Sequence, residues 1–184
     1  MTTAQLLTLN NNILITNAAS LQVFVDAIDD QSIAAWYNTL ASPAFYGWRS
    51  SVPINDILDK ILWANFTPTD APDTTAQWTN RSLACQGKQF NLQTLVLGKT
   101  SLDATRANLR AGLQDALTGL PSGVSGAVLG GGWAAVQLIL SRAAMRIEKL
   151  FATGTGTQAA PALFVVEGLL DYLDVARALR GVGV

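Results

Sequence analysis

Trp133-Ala-Ala-Val-Gln-Leu-Ile-Leu-Ser-Arg-Ala-Ala-Met-Arg-Ile-Glu-Lys-Leu-Phe151 is the stretch on which the fold reading turns. Val136, Ile139, Leu140, Ala143, Ile147, Leu150 and Phe151 recur at three- and four-residue steps. That period gathers apolar side chains on one face of a helix. Arg142, Arg146 and Lys149 fall at i, i+4 and i+7 and would form a basic stripe beside that face. Gly154 and Gly156 then stop the helix and release the backbone. The spacing predicts one central helix over 133–151 in a mainly α protein, followed by an extended connector.

Outward from this stretch the chain reads as further helices. Pro161-Ala-Leu-Phe-Val-Val166 is apolar and β-branched enough for one short strand. A last helix is expected over 170–179 and a tail over 181–184. Residues 1–153 are therefore read as a helical bundle, and residues 154–184 as a flexible or extended C-terminal arm. Upstream, Thr2 or Thr3 caps a first helix that Asn10-Asn11-Asn12 should shorten or bend. A second helix is read over 19–28. Asp29 or Asp30 caps a third, with Ile33, Trp36, Tyr37 and Leu40 inward. Pro53 opens a helix carrying Ile54, Ile57, Leu58, Ile61 and Leu62, opposite Asp56, Asp59 and Lys60. A proline-rich loop over 66–75 precedes a helix over 75–97, in which Gly87 suggests close packing against a neighbour. Another helix runs to Leu120, and 119–132 reads as a glycine-rich loop.

Composition narrows the kind of protein. Charged residues are 14% of the 184, where about 25% is usual for a soluble domain. Mean hydropathy is +0.27. So few charges cover a lone surface poorly, and interface cores are depleted in charge, so association with other chains is expected. Residues 1–80 carry two basic and seven acidic side chains, net −5; residues 81–149 carry eight and three, net +5. Such separation lets the acidic part of one subunit face the basic part of its neighbour, or leaves two ordinary solvated faces.

No strong chemical motif emerges. There is no histidine, which removes the commonest general base and metal ligand. Cys85 stands alone, without a base to activate it or a second cysteine to share a metal. Gly98-Lys99-Thr100 imitates the end of a phosphate-binding loop, but Gln93 stands where the pattern needs glycine. Asp29-Asp30 and Asp56 with Asp59 are close carboxylate pairs, too few to build a metal site alone. An enzyme is not expected, no cofactor is implied, and neither a secretory signal nor a membrane span is read. The basic residues could lie near DNA, although a pI near 5.2 suits a general nucleic-acid binder badly.

Arg146-Ile-Glu-Lys-Leu-Phe-Ala-Thr-Gly-Thr-Gly-Thr-Gln-Ala-Ala-Pro161, with Glu167-Gly168 and Asp174-Val175 behind it, resembles the C-terminal signature of a family of small virion proteins of tailed bacteriophages. Asn80 to Thr94 and Arg110-Ala-Gly-Leu-Gln-Asp-Ala-Leu117 are similar to that family as well. Val165-Val166-Glu167-Gly168 departs from the Gly-Phe-Glu-Gly common there. The resemblance implies a structural component of the virion, assembled in the host cytoplasm. It points to an adaptor ring between portal and tail, with portal and tail proteins as partners. On that plan the arm docks on the portal through Pro161, Leu163, Phe164, Val165 and Val166. Arg142, Arg146 and Lys149 then face the lumen or the next subunit, with DNA nearby. The other readings are a capsid decoration or tail component, and a helical small-molecule-binding or enzymatic domain lined by the aromatics of Phe45 to Trp48.

Overall fold

The computed structural model describes residues 1–66, 83–122 and 127–181. The fold is mainly α-helical with short strands. In chain order the elements are α1 (Thr3–Asn11), a π-helical turn (Asn12–Thr16), α2 (Ala18–Asp26), α3 (Asp30–Tyr37), β1 (Tyr46–Trp48), β2 (Val52–Pro53) and α4 (Ile54–Leu58). A 3-10 turn (Trp63–Phe66) follows, then α5 (Leu83–Val96), β3 (Ser101–Leu102), α6 (Ala107–Leu117), β4 (Leu120–Ser122) and β5 (Ala127–Leu129). The chain closes with α7 (Trp133–Leu140), β6 (Ser141–Ala143), α8 (Arg146–Phe151) and α9 (Tyr172–Arg180). They group into two compact units, Met1–Gly47 with Ala143–Val184, and Trp48–Arg142.

The first unit is helical, and its helices begin where short polar side chains supply an acceptor. Thr2 Oγ1 accepts the Gln5 N–H at 3.3 Å while Gln5 Oε1 accepts the Thr2 N–H at 2.8 Å, a reciprocal cap. Asp29 accepts the Ser32 N–H at 3.0 Å and its hydroxyl at 2.6 Å, and these bonds hold its carboxyl below the usual range. Asp171 caps α9 by accepting the Leu173 N–H at 3.0 Å. α9 packs on α1 and α3, and α3 also meets α8. Leu9, Ile13, Leu21, Ile33, Ile147 and Val175 form a core from which solvent is excluded. Each such side chain stabilises by roughly 1.5–3 kcal/mol relative to exposure.

The second unit packs α5 against α6 and α6 against α7. Its core holds Ile57, Phe66, Cys85, Leu92, Leu113, Leu117, Val136 and Leu140. β2 and β3 pair antiparallel with Val52 opposite Leu102, and β4 and β5 pair with Leu120 opposite Leu129. The Arg110 guanidinium lies 4.3 Å from the Trp48 ring centre, its Nη1 donating to the carbonyls of Ala104 and Thr105 at 2.6 and 2.8 Å.

Several sequence expectations need correction. The central helix over 133–151 does not form as one piece: α7 ends at Leu140, β6 intervenes, and α8 starts at Arg146. Tertiary backbone bonds replace the helical ladder there. Ala144 N–H donates to Phe45 O at 2.8 Å, Ala144 O accepts from Ala41 N–H at 2.9 Å, and Arg146 N–H donates to Thr39 O at 3.0 Å. The stretch expected as a loop over 119–132 carries β4 and β5. Ala162 and Leu163 make single bridges to Gly47 and Thr153 in place of a strand over 161–166. Gly87 has open space about its Cβ position, so nothing among the described residues packs there. Part of the expected helix over 75–97, the loop over 66–75 and the end of the tail lie outside the described residues.

The segment expected as an arm contributes buried Ala162, Leu170, Val175 and Ala178 to the first unit. Side chains also tie it down: Leu170 N–H donates to Asn38 Oδ1 at 2.7 Å, Asn38 Nδ2 returns a bond to Leu170 O at 3.0 Å, and Asn10 Nδ2 donates to Ala178 O at 2.9 Å. The expected shortening of the first helix at Asn10–Asn12 is seen, as α1 gives way to the π-helical turn.

Candidate functional site

The first unit holds a cleft of about 440 Å³, lined by Asn12, Thr16, Asn17, Trp36, Tyr37, Ala41, Ser42, Arg146, Lys149 and Leu150. The π-helical turn supplies its polar wall, α3 its aromatic wall and α8 its two cations. An extra residue per turn in a π-helix redirects the side chains that follow, and here it brings Asn12 to Tyr37. Asn12 Oδ1 accepts from the Tyr37 hydroxyl and from Asn17 Nδ2, both at 2.7 Å. Burial pushes the Tyr37 phenol up to about 12, against a smaller opposite effect of the Asn17 amide.

Arg146 is held over Trp36, its guanidinium carbon 3.9 Å from the ring centre and its Nη1 donating to Trp36 O at 3.4 Å. Stacking of this kind fixes the planar fork while leaving N–H groups at its edge for an acceptor. Lys149 lies three residues on, on the same side of α8, with its Nζ 5.7 Å from the Phe45 ring centre. Among the described residues neither cation pairs with a carboxylate. The arrangement presents two half-buried positive charges beside uncharged donors, a setting suited to an anionic group and lacking a nucleophile–base pair.

Arg146 and Lys149, expected together on a stripe, are thus brought together. Arg142 is placed in β6 rather than on their helix, partly buried. Of the residues expected to dock a partner, Pro161 is buried, Phe164 and Val166 are half-buried, and Leu163 and Val165 are exposed. The Phe164 ring sits against the Gly47 backbone so closely that a Cβ there would overlap it. Asn12 and Trp36 were missed as cleft residues: the asparagine run signalled only a break in the helix, and a tryptophan 110 residues from its arginine leaves no local pattern.

The outer surfaces carry many apolar side chains. On α5, Cys85 and Leu92, seven residues apart, are buried, whereas Leu83, Phe90 and, in the turn just after the helix, Leu97, also seven apart, are exposed by 86, 67 and 81%. In the first unit Ile15, Val23, Ile28 and Leu169 are each about two-thirds exposed or more. No described helix is long and apolar enough to cross a membrane. No known family, curated protein or solved structure matches the chain.

Proposed function

We propose that this chain is a non-enzymatic structural subunit that works as a homo-oligomer, the adaptor-like ring component that its resemblance to small tailed-phage virion proteins implies. The observation that carries the association is the exposed apolar face of α5. Leu83 and Phe90, with Leu97 just past the last turn, are exposed at seven-residue steps along a helix whose single charged residue, Lys88, pairs with Asp115 at 3.2 Å. Exposed apolar surface of this kind marks an interaction site, and a scarcity of surrounding charge is what interface cores share. Placement in a virion, between portal and tail, rests on the resemblance of residues 80–94, 110–117 and 146–175. The expected partners are further copies of the chain, then portal and tail proteins, with no membrane partner expected and DNA close by in the channel.

The mass of the purified full-length chain, measured by light scattering over a range of concentrations, tests this reading. A species of several copies is expected, and electron micrographs should show closed rings. A monomer that persists to high concentration overturns it.

A further inference from the structure

We infer that the cleft holding Arg146 and Lys149 in one copy receives Asp56 and Asp59 of a second copy, in a head-to-tail contact that builds the oligomer. The inference rests on the proposed self-association and names the contact responsible. Its first support is an accounting of charge. Among the described carboxylates, Asp26, Asp29, Asp30, Asp103, Asp115, Asp171 and Asp174 each have a hydrogen-bond or ionic partner. Glu148 and Glu167 are also engaged. Asp56 and Asp59 make no such bond, and both are exposed. Even Lys60, next in the chain, forms no ion pair with either.

The second support is spacing. Asp56 lies in α4 and Asp59 is its C-terminal cap, so the carboxylates stand three residues apart. Arg146 and Lys149 also stand three residues apart, in α8. Residues so separated are neighbours on a helix surface, about 5–6 Å apart at Cβ. Two carboxylates and two cations with the same separation can therefore meet in register. The cleft supplies further donors in Thr16, Ser42 and the Asn12 amide, and its 440 Å³ suits inserted side chains.

The third support is the chemistry of the cations. A guanidinium stacked on Trp36 is pre-organised for a carboxylate fork, and desolvation in a cleft strengthens the pairing over that of a surface ion pair. DNA phosphate fits worse, because affinity for it grows with the number of cations and the cleft holds two. The two patches are different surfaces of the chain. A contact between them that is made once per pair of copies is heterologous, and copies joined this way close into a ring when the rotation permits. Made twice across a two-fold axis, the same contact would instead stop at a dimer.

Four preparations of the full-length chain test this, each weighed by sedimentation and checked for helicity: wild type, R146E/K149E, D56K/D59K, and an equimolar mixture of the two variants. Each variant alone should associate about tenfold more weakly or worse, with helicity unchanged. The mixture should associate again as alternating copies, since the intact cleft of one variant meets the intact acidic pair of the other and the charge-reversed cleft meets the charge-reversed pair. Wild-type masses for both variants overturn the inference while leaving self-association standing. So does a mixture that stays monomeric, which would assign the cleft to a different anion. The exposed pair D56N/D59N guards against misfolding, and association undiminished in that variant also overturns the contact. A monomeric wild type would instead remove the self-association on which the inference rests.

Discussion

Glu148 Oε1 accepts the N–H of Gly168 at 3.0 Å, across twenty residues of chain. The other oxygen, Oε2, accepts the N–H of Met145 at 2.9 Å. The side chain is fully buried, so one carboxylate both closes the first turn of α8 and anchors the loop before α9. Glutamate at the third position of a helix reaches back to the capping N–H in the usual way. The second bond carries that local device into the tertiary structure. Since α8 also bears Arg146 and Lys149, Glu148 positions the cleft without lining it.

Replacing Glu148 by glutamine should therefore destabilise the protein by about 1–3 kcal/mol, because one acceptor becomes a donor facing an N–H. Alanine should cost more, roughly 2–5 kcal/mol, since both N–H groups then lose their partner. Urea midpoints at constant slope measure both values. A glutamine variant as stable as the wild type would mean that the carboxylate is not what ties Met145 to Gly168.

Tyr37 predicts a particular alkaline behaviour. Its phenol keeps its proton up to about 12 in the folded protein, whereas an unfolded tyrosine loses it near 10. Between those values the folded state binds one more proton than the unfolded state, so stability falls as pH rises. Below pH 10 this contribution is fully present; it is lost as pH passes through about 12. Tyr37→Phe should remove that part of the slope, at a cost of about 1 kcal/mol at neutral pH for the lost bond to Asn12. Denaturation between pH 9 and 12 compares the two proteins, and parallel curves would contradict the assignment.

The two faces of α5 should respond oppositely. Phe90→Asn alters an exposed side chain and should change the stability of the isolated subunit by no more than about 0.5 kcal/mol, while weakening self-association. Leu92→Ala empties a position closed to solvent and should cost about 2–5 kcal/mol. Thermal unfolding and sedimentation of both variants check the contrast. Equal destabilisation would place Phe90 in the core, against the exposure on which the proposed interface rests.

Much of this architecture was legible locally. Thr2 with Gln5, Asp29 with Ser32 and Pro53 ahead of Ile54 mark helix starts because their chemistry acts within one turn of chain. Asn10 to Asn12 marked a break for the same reason. The basic pair was found because Arg146 and Lys149 are neighbours on one helix, whatever lies before them. Residues 133–151 show the limit. Their apolar period suits a helix throughout, yet Ala144 and Arg146 spend their backbone hydrogen bonds on Phe45, Ala41 and Thr39.

The amino-acid sequence by itself determined the helical class, most helix starts and the shortage of charge, since these depend on composition and on contacts three or four residues apart. Only the tertiary structure decided where the 133–151 stretch breaks, that residues 162–178 contribute to the core of the first unit, and that Trp36 meets Arg146 while Asn12 lines the same cleft. Those outcomes depend on hydrogen bonds and packing between segments about a hundred residues or more apart, whose energies exceed the small preference of an alanine-rich segment for helix.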